Sequence, residues 1–287
     1  MGEIVESPPS WDAALRLLGG LHHLVLSGRA SWERVGDALV EEREFLRQFV
    51  SKQRVQTNEV QRCWTLLPCF LEAVRRLETP AIDLVELGTS AGLLLFWDRH
   101  HYRYRAGEWG PRGSGLELGG EERRPVPASL LSVSPRVRNR VGIDLEPLDV
   151  TRDEDALLLK SFVWADRHDR LARLDHAIQA LRENPPKLVR GDFVELLPDL
   201  LARRRRDGLT VVLQVAAGGY LSEEGWERLA AALGESGEQG PLTYVFAGRP
   251  EDESHRYWGL WLTTWPGGRR EQVAHADFHG AWLEWLL

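Results

Sequence analysis

The chain has two cysteines in 287 residues, Cys63 and Cys69, and a single methionine. Two thiols are too few for a disulfide framework, and no cysteine or histidine stands at zinc-site spacing around them. Six positions apart on a helix, they face different ways. Both are read as reduced, mostly buried thiols of a cytoplasmic protein. No apolar run approaches the roughly 20 residues that cross a bilayer, so no membrane partner is expected. The first residues carry Glu3 and Glu6 where a leader would show a basic and then an apolar segment, so no secretory leader is read there. Positive charge is also short, with a formal net charge of −7. A nucleic-acid partner would need a concentrated basic face, so none is expected. The only basic run, Arg203 to Arg206, follows an apolar stretch and precedes Asp207-Gly208. Cations suit the negative end of a helix dipole, so the run reads as a solvated helix end, with a phosphate patch as the alternative.

What is present suits a packed domain. Apolar residues make up 43% and charged residues 28%, which predicts an ordinary core. Twelve tryptophans are spread along the chain. Core filling accounts for most of them, and a stacking surface is the alternative. Up to about Glu78 the pattern is helical. Ser10 can cap a helix from Trp11 to about Leu26. Ser31 can cap a second, with Val35, Leu39, Phe45, Leu46 and Phe49 as its apolar face. Asn58 with Gln61 three residues on resembles a capping box for a third, from Glu59 to about Leu77. Thr79-Pro80 ends it.

After Pro80 short apolar strands alternate with helical stretches. Strands are expected at Ala81–Leu87, Arg140–Asp144, Lys187–Asp192, Leu209–Ala216 and Leu242–Ala247. A helix at Leu93–Arg99, a long helical stretch at about 153–181 broken near Trp164-Ala165-Asp166, and helices at Phe193–Arg205 and Ser222–Leu233 separate them. Tyr257–Trp265 and Glu271–Asp277 read as a final hairpin turning at Pro266-Gly267-Gly268. Residues 102–140 form a polar insertion with room for a hairpin of its own. Alternation of this kind implies α/β architecture with a mainly parallel, Rossmann-like sheet. Two parts follow: 1–79, a helical N-terminal segment that lids the sheet, and 80–287, the sheet domain.

Ligands of such sheets sit beyond the carboxyl ends of the strands. The first end is Glu86-Leu87-Gly88-Thr89-Ser90-Ala91-Gly92. Its spacing is E-x-G-x-x-x-G rather than G-x-G-x-x-G, and it lacks the lysine of a phosphate loop. That favours S-adenosylmethionine over a nicotinamide cofactor, with a bare tight turn as the alternative. Asp144 ends the second strand, where an acid can accept from ribose hydroxyls, and Glu146 is its rival. Gly191-Asp192-Phe193 follows the third, where Asp192 can accept from an adenine amino group or cap the next helix, and Phe193 can cover the ring.

Arg54-Val55-Gln56-Thr57-Asn58-Glu59, Val85 through Leu93, Gly142-Ile143-Asp144-Leu145, Val163-Trp164, Leu171 through Asp175, Val189-Arg190-Gly191-Asp192 and His279 through Leu286 together resemble a bacterial family, domain of unknown function 2332. The resemblance runs from about Leu18 to the end. It specifies a family and no activity. The glycine loop is similar to that of S-adenosylmethionine-dependent methyltransferases with a seven-stranded sheet. By that likeness Glu86, Gly88, Ser90 and Gly92 surround the methionine part, Asp144 the ribose, and Asp192 with Phe193 the adenine. The chain departs at strand four, where Gln214 stands in place of the histidine that the resembled family tends to carry and no acidic signature follows. Methyl transfer needs only an aligned nucleophile, so a base is not required. On the substrate side, Arg54 can bind a carboxylate or phosphate, and Gln56, Thr57 and Asn58 can hydrogen-bond a polar group. Trp164 can line the pocket or fill core. His279 is a candidate acid or base. His275, Asp277 and His279 share a face if the strand continues, but no metal is assigned. The expected activity is methyl transfer from S-adenosylmethionine to a small molecule. The alternative is a non-catalytic Rossmann-like binding or assembly protein.

Overall fold

The computed structural model describes residues 12–113, 115–248 and 256–287. The helical opening is α1 (Ala13–Leu26), α2 (Val35–Glu41) and α3 (Arg43–Lys52). Leu21, Leu24 and Leu46 join them, with Ala30, Val35 and Phe45 packed around. The proposed cap Ser10 and first residue Trp11 of α1 lie outside the described residues. The single helix expected after Ser31 is two, because the backbone leaves helical geometry at Glu42 (φ −103°, ψ 20°). Ser31 makes no cap bond to the 3-10 turn at Trp32–Arg34, and Leu39 is 44% exposed.

Helix α4 (Arg62–Leu77) begins three residues later than the capping-box pattern suggests. The Asn58 amide does not cap it, and instead donates to the carbonyl of Leu159 at 3.2 Å. Glu59 Oε1 accepts the Gln61 amide at 2.9 Å in its place. A tertiary partner outcompetes the local cap. Helix α4 is buried from Cys63 to Val74 and ends at Glu78, whose φ of 49° is left-handed. Both cysteines are free and buried.

From there the chain lays down β1 (Ala81–Leu87), a 3-10 stretch (Leu93–Arg99), β2 (His101–Tyr104), β3 (Gly107–Trp109), β4 (Glu117–Gly119), β5 (Glu121–Arg124), α5 (Ala128–Leu131) and β6 (Arg136–Asp144). Next come α6 (Asp153–Ser161), α7 (His168–Glu183), β7 (Lys187–Arg190), α8 (Phe193–Ala202), β8 (Leu209–Val215), α9 (Glu223–Gly237), β9 (Leu242–Gly248), β10 (Trp258–Trp265), β11 (Arg269–Ala276) and β12 (Trp282–Trp285). One nine-stranded sheet has the order β5-β12-β11-β10-β9-β8-β1-β6-β7. The seven strands expected from the resemblance are therefore corrected to nine. From β9 through β8, β1 and β6 to β7 every pairing is parallel. Beyond β9 the strands β10, β11 and β12 run as an antiparallel meander, and β5, from the insertion, pairs parallel with β12 at the edge. The rest of the insertion forms a small sheet, β3-β2-β4, including the expected hairpin.

The 3-10 stretch corrects the α-helix expected after the glycine loop. Phe96 breaks it (φ −102°, ψ 22°), and Leu93, Leu94, Leu95 and Trp97 are all buried, so packing overrides regular winding. Apolar side chains cover both faces of the sheet. Leu84, Val211, Leu213 and Val245 meet α4, α6 and α7 on one; Val85, Val212 and Tyr244 meet α8 and α9 on the other. Trp64, Trp97 and Trp285 are fully buried, in line with tryptophan as core filler. Arg204 is not a solvated helix end. It donates to Ser236 Oγ at 2.8 Å, to the carbonyl of Ser236 at 2.7 Å and to that of Gly240 at 3.0 Å, bracketing the end of α9. Among the described residues no helix is long and apolar enough to cross a membrane.

Leu283 is fully buried on β12. Leu283→Ala is expected to cost about 2–5 kcal/mol in urea unfolding. Val40→Ala, at a side chain 75% exposed, should stay within about 0.5 kcal/mol. A Leu283 variant as stable as the wild type would contradict the place of β12 in the sheet.

Candidate functional site

Strand order reverses between β1 and β8. From β1 the chain moves outward to β6 and β7; from β8 it moves the other way to β9. Such a switch point leaves a crevice beyond the strand ends, and the cleft lies there. Its cavity volume is about 210 Å³, and it opens to solvent at its mouth. Gly88 and Ser90 after β1, Asp144, Leu145 and Glu146 after β6, Phe193 after β7, and Ala216, Ala217 and Tyr220 after β8 form its sheet-side walls. Arg54, Val55, Gln56 and Thr57, between α3 and α4, and Arg62, at the start of α4, close it from the other side.

The glycine loop divides its labour. Gly88 has φ 73°, and a Cβ there would lie 2.5 Å from Ala217 Cβ, so only glycine lets the loop pass the end of β8. Gly92, with φ 79°, faces away from the cleft, where a Cβ would meet Pro186 Cγ at 2.9 Å. Glu86 also stands behind the loop. It is 2% exposed and accepts from Thr89 Oγ1 at 2.7 Å. Burial above all, with a smaller contribution from the Asp144 charge, pushes its carboxyl up to about 8 against the opposing Thr89 bond and Arg62 charge. Ser90 is the loop's contact with the opposite wall, its Oγ donating to Gln56 Oε1 at 2.7 Å.

Asp144 is held at both oxygens. Oδ2 accepts the Ser90 amide at 2.8 Å and Oδ1 the Glu146 amide at 2.9 Å. A carboxylate oxygen can accept more than one bond, so each keeps capacity for a ligand hydroxyl. Glu146 is exposed and serves here through its backbone. Among the described residues three non-glycines have positive φ: Glu78, Ser90 and Ala216. Two of the three line the cleft, and strained backbone of this kind gathers at functional sites.

The remaining candidates fall elsewhere. Asp192 caps α8 by accepting the Val194 amide at 2.8 Å and does not line the cleft, whereas its neighbour Phe193 does. Arg54, Gln56 and Thr57 line it, but Asn58 is turned inward to Leu159 and Arg170. Trp164 is 49% exposed, neither core nor cleft wall. His279 is part-buried beside Asp277, which accepts its amide. Desolvation first, then the charges of Arg170 and Arg62, hold its imidazole down to about 4. His275 pairs with Glu284 at 2.9 Å. Gln214 is fully buried among aromatics and accepts from the Tyr244 hydroxyl, so that position does not face the cleft.

Two lining residues escape the sequence reading. Tyr220 follows β8, and its phenol is pushed up to about 12, by burial first and then by Asp12, against the opposing Arg54 charge. Arg62 looks like any first-turn helical residue. Its signal is the unusually polar run before α4, which the reading ended at Glu59.

Glu86 gives a pH signature. Its carboxyl keeps its proton to about 8 in the fold and to 4.5 when unfolded. Between those values the native state binds more protons, so the contribution of Glu86 to stability falls as pH rises from about 4.5 to about 8. Urea unfolding of wild type and Glu86→Gln should show the wild-type advantage shrinking across that window. A difference that is flat with pH would rule the buried acid out as its source.

The family model described as "Uncharacterized protein conserved in bacteria (DUF2332)" matches residues 2–285. A search of curated proteins finds no match. Among solved structures, "a S-adenosylmethionine-dependent methyltransferase from Clostridium acetobutylicum ATCC 824" is similar at 10% identity with a TM-score of 0.31. That similarity covers 75% of this chain and 64% of the other, so the chain spans just under two thirds of the protein it matches. With nearly its whole length under the family model, the chain belongs to the bacterial domain-of-unknown-function family DUF2332.

Proposed function

We propose that the cleft binds S-adenosylmethionine and that the protein transfers its methyl group to a small molecule. One observation carries this reading. The glycine loop after β1, the fixed acid after β6 and the aromatic after β7 all border one cleft at the switch point. When bound, S-adenosylmethionine supplies an electrophilic methyl on a sulfonium. Asp144 would take the ribose hydroxyls on the lone pairs left by its two amide donors. Phe193 and Leu145 would cover the adenine. Gly88 lets the loop turn close against Ala217, beside which the sulfonium end would lie. Ala216 and Ala217, both small, leave room for an acceptor beside it. Holding the acceptor in line and excluding water is the protein's contribution to rate.

A non-catalytic binding role is the second reading. It is favoured by the end of β8, where Ala216, Ala217 and Gly218 offer no acid or nucleophile, and by a Tyr220 phenol that holds its proton to about 12. Calorimetry with S-adenosylhomocysteine is expected to show one site per chain. Asp144→Ala should weaken it roughly ten- to hundred-fold, and Gly88→Trp should abolish it. No heat at millimolar ligand would reject the cofactor. Binding without transfer of labelled methyl to any cell-extract metabolite would select the second reading.

A further inference from the structure

We propose that Arg62 is a carboxylate receptor: whatever occupies the cleft presents a carboxylate to the guanidinium of Arg62. The source is either the methionine end of the cofactor or the methyl acceptor. Only the first source rests on the proposed function.

Arg62 is built in place from two sides. Its Nε donates to the carbonyl of Phe278 at 2.9 Å, and its guanidinium lies over the Trp258 ring, 4.6 Å from the centroid. Trp258 is on β10 and Phe278 in the turn between β11 and β12, and the two contacts hold the fork in place. Its two Nη groups make no hydrogen bond, and no acid forms an ion pair with it, among the described residues. The side chain lines the cleft. Burial lowers its pKa to about 10, so it stays cationic at neutral pH while poorly hydrated.

The acids near enough to feel this charge are already engaged. Glu59 holds Arg170 in an ion pair, Arg173 at 3.6 Å and the Gln61 amide at 2.9 Å. Glu86 takes Thr89. Asp277 accepts the amides of His279 and Ala281 at 2.9 and 3.1 Å. An oriented guanidinium with two free in-plane donors facing empty space matches an oxyanion, which it can grip with parallel bonds. The charge of the cleft narrows the choice. Arg54, Asp144 and Glu146 line the same space; one cation against two acids leaves a net negative charge around Arg62, which suits a singly charged carboxylate better than a dianionic phosphate.

Arg62→Met keeps the side-chain length and the apolar contact with Trp258, and Arg62→Lys keeps the charge. In the first arm, S-adenosylhomocysteine and methylthioadenosine, which lacks the amino-acid end, are titrated into all three proteins. If the cofactor is the source, Arg62→Met lowers affinity for S-adenosylhomocysteine by about ten- to hundred-fold. Methylthioadenosine is unaffected, and Arg62→Lys lies between. In the second arm, benzoate and succinate are titrated by ligand-observed NMR into protein saturated with S-adenosylhomocysteine. Binding to wild type that is lost in Arg62→Met assigns the carboxylate to the acceptor. If wild type binds neither nucleoside, the cofactor reading fails by itself, and the second arm on the free protein still decides the role of Arg62. Equal losses for both nucleosides, or no change in either arm, would overturn the proposal.

Discussion

The wall of the cleft that faces the sheet depends on one buried carboxylate. Glu59 is 2% exposed and stands just before α4. It pairs with Arg170, itself 5% exposed on α7, reaches Arg173, and takes the amide of Gln61. Taking such charges out of water is expensive, and removing one partner leaves the other uncompensated. The pair therefore fixes the start of α4 against α7 within a narrow range. Arg62 lies one helical turn further on, and the stretch from Arg54 to Thr57 leads into it. Gln61 extends the constraint, donating to the carbonyls of Gly119 and Gly280 at 2.9 and 3.2 Å. One short polar segment thus joins the insertion, the C-terminal turn and α7 to the cleft.

The cleft combines two kinds of residue. Gly88, Ser90 and Asp144 are placed by the sheet, through strand ends whose register is set by parallel pairing. Arg54, Gln56, Thr57 and Arg62 are placed by helix packing and buried polar bonds. The Ser90–Gln56 hydrogen bond spans the two sets directly. The cleft thus joins a half set by strand register to a half built from longer, more adaptable polar side chains.

The centre of the sheet was largely legible because β1, β8 and β9 are short apolar runs next to glycine or proline and are buried almost throughout, whereas only residues near the end of β6 are apolar and buried. The hairpin β10–β11 was legible from its turn. The strands β5 and β12 were not: four residues each, they pair Trp282 with Glu121 across more than half of the chain, and no local pattern encodes that. The same holds for Asn58. Its capping-box spacing is a true local preference, overridden by a carbonyl 101 residues away. In the site, the residues carried by backbone geometry, Gly88 and Asp144, could be read from spacing. Arg62 could not, because its role comes from Phe278 and Trp258, which the fold brings to it from the other end of the sequence.

The two edges of the nine-stranded sheet are alike. At one edge β5 is Glu121-Glu122-Arg123-Arg124, followed by Pro125 and Pro127; at the other β7 is Lys187 to Arg190, preceded by Pro185-Pro186. Each is four residues long, charged and bounded by prolines, which cannot donate to a ladder. An open sheet edge is a template for unwanted strand addition, and short charged strands beside proline are the means by which proteins blunt it. A sheet this wide therefore ends on both sides in a sequence that discourages a tenth strand, whether from a neighbour or from an aggregating copy.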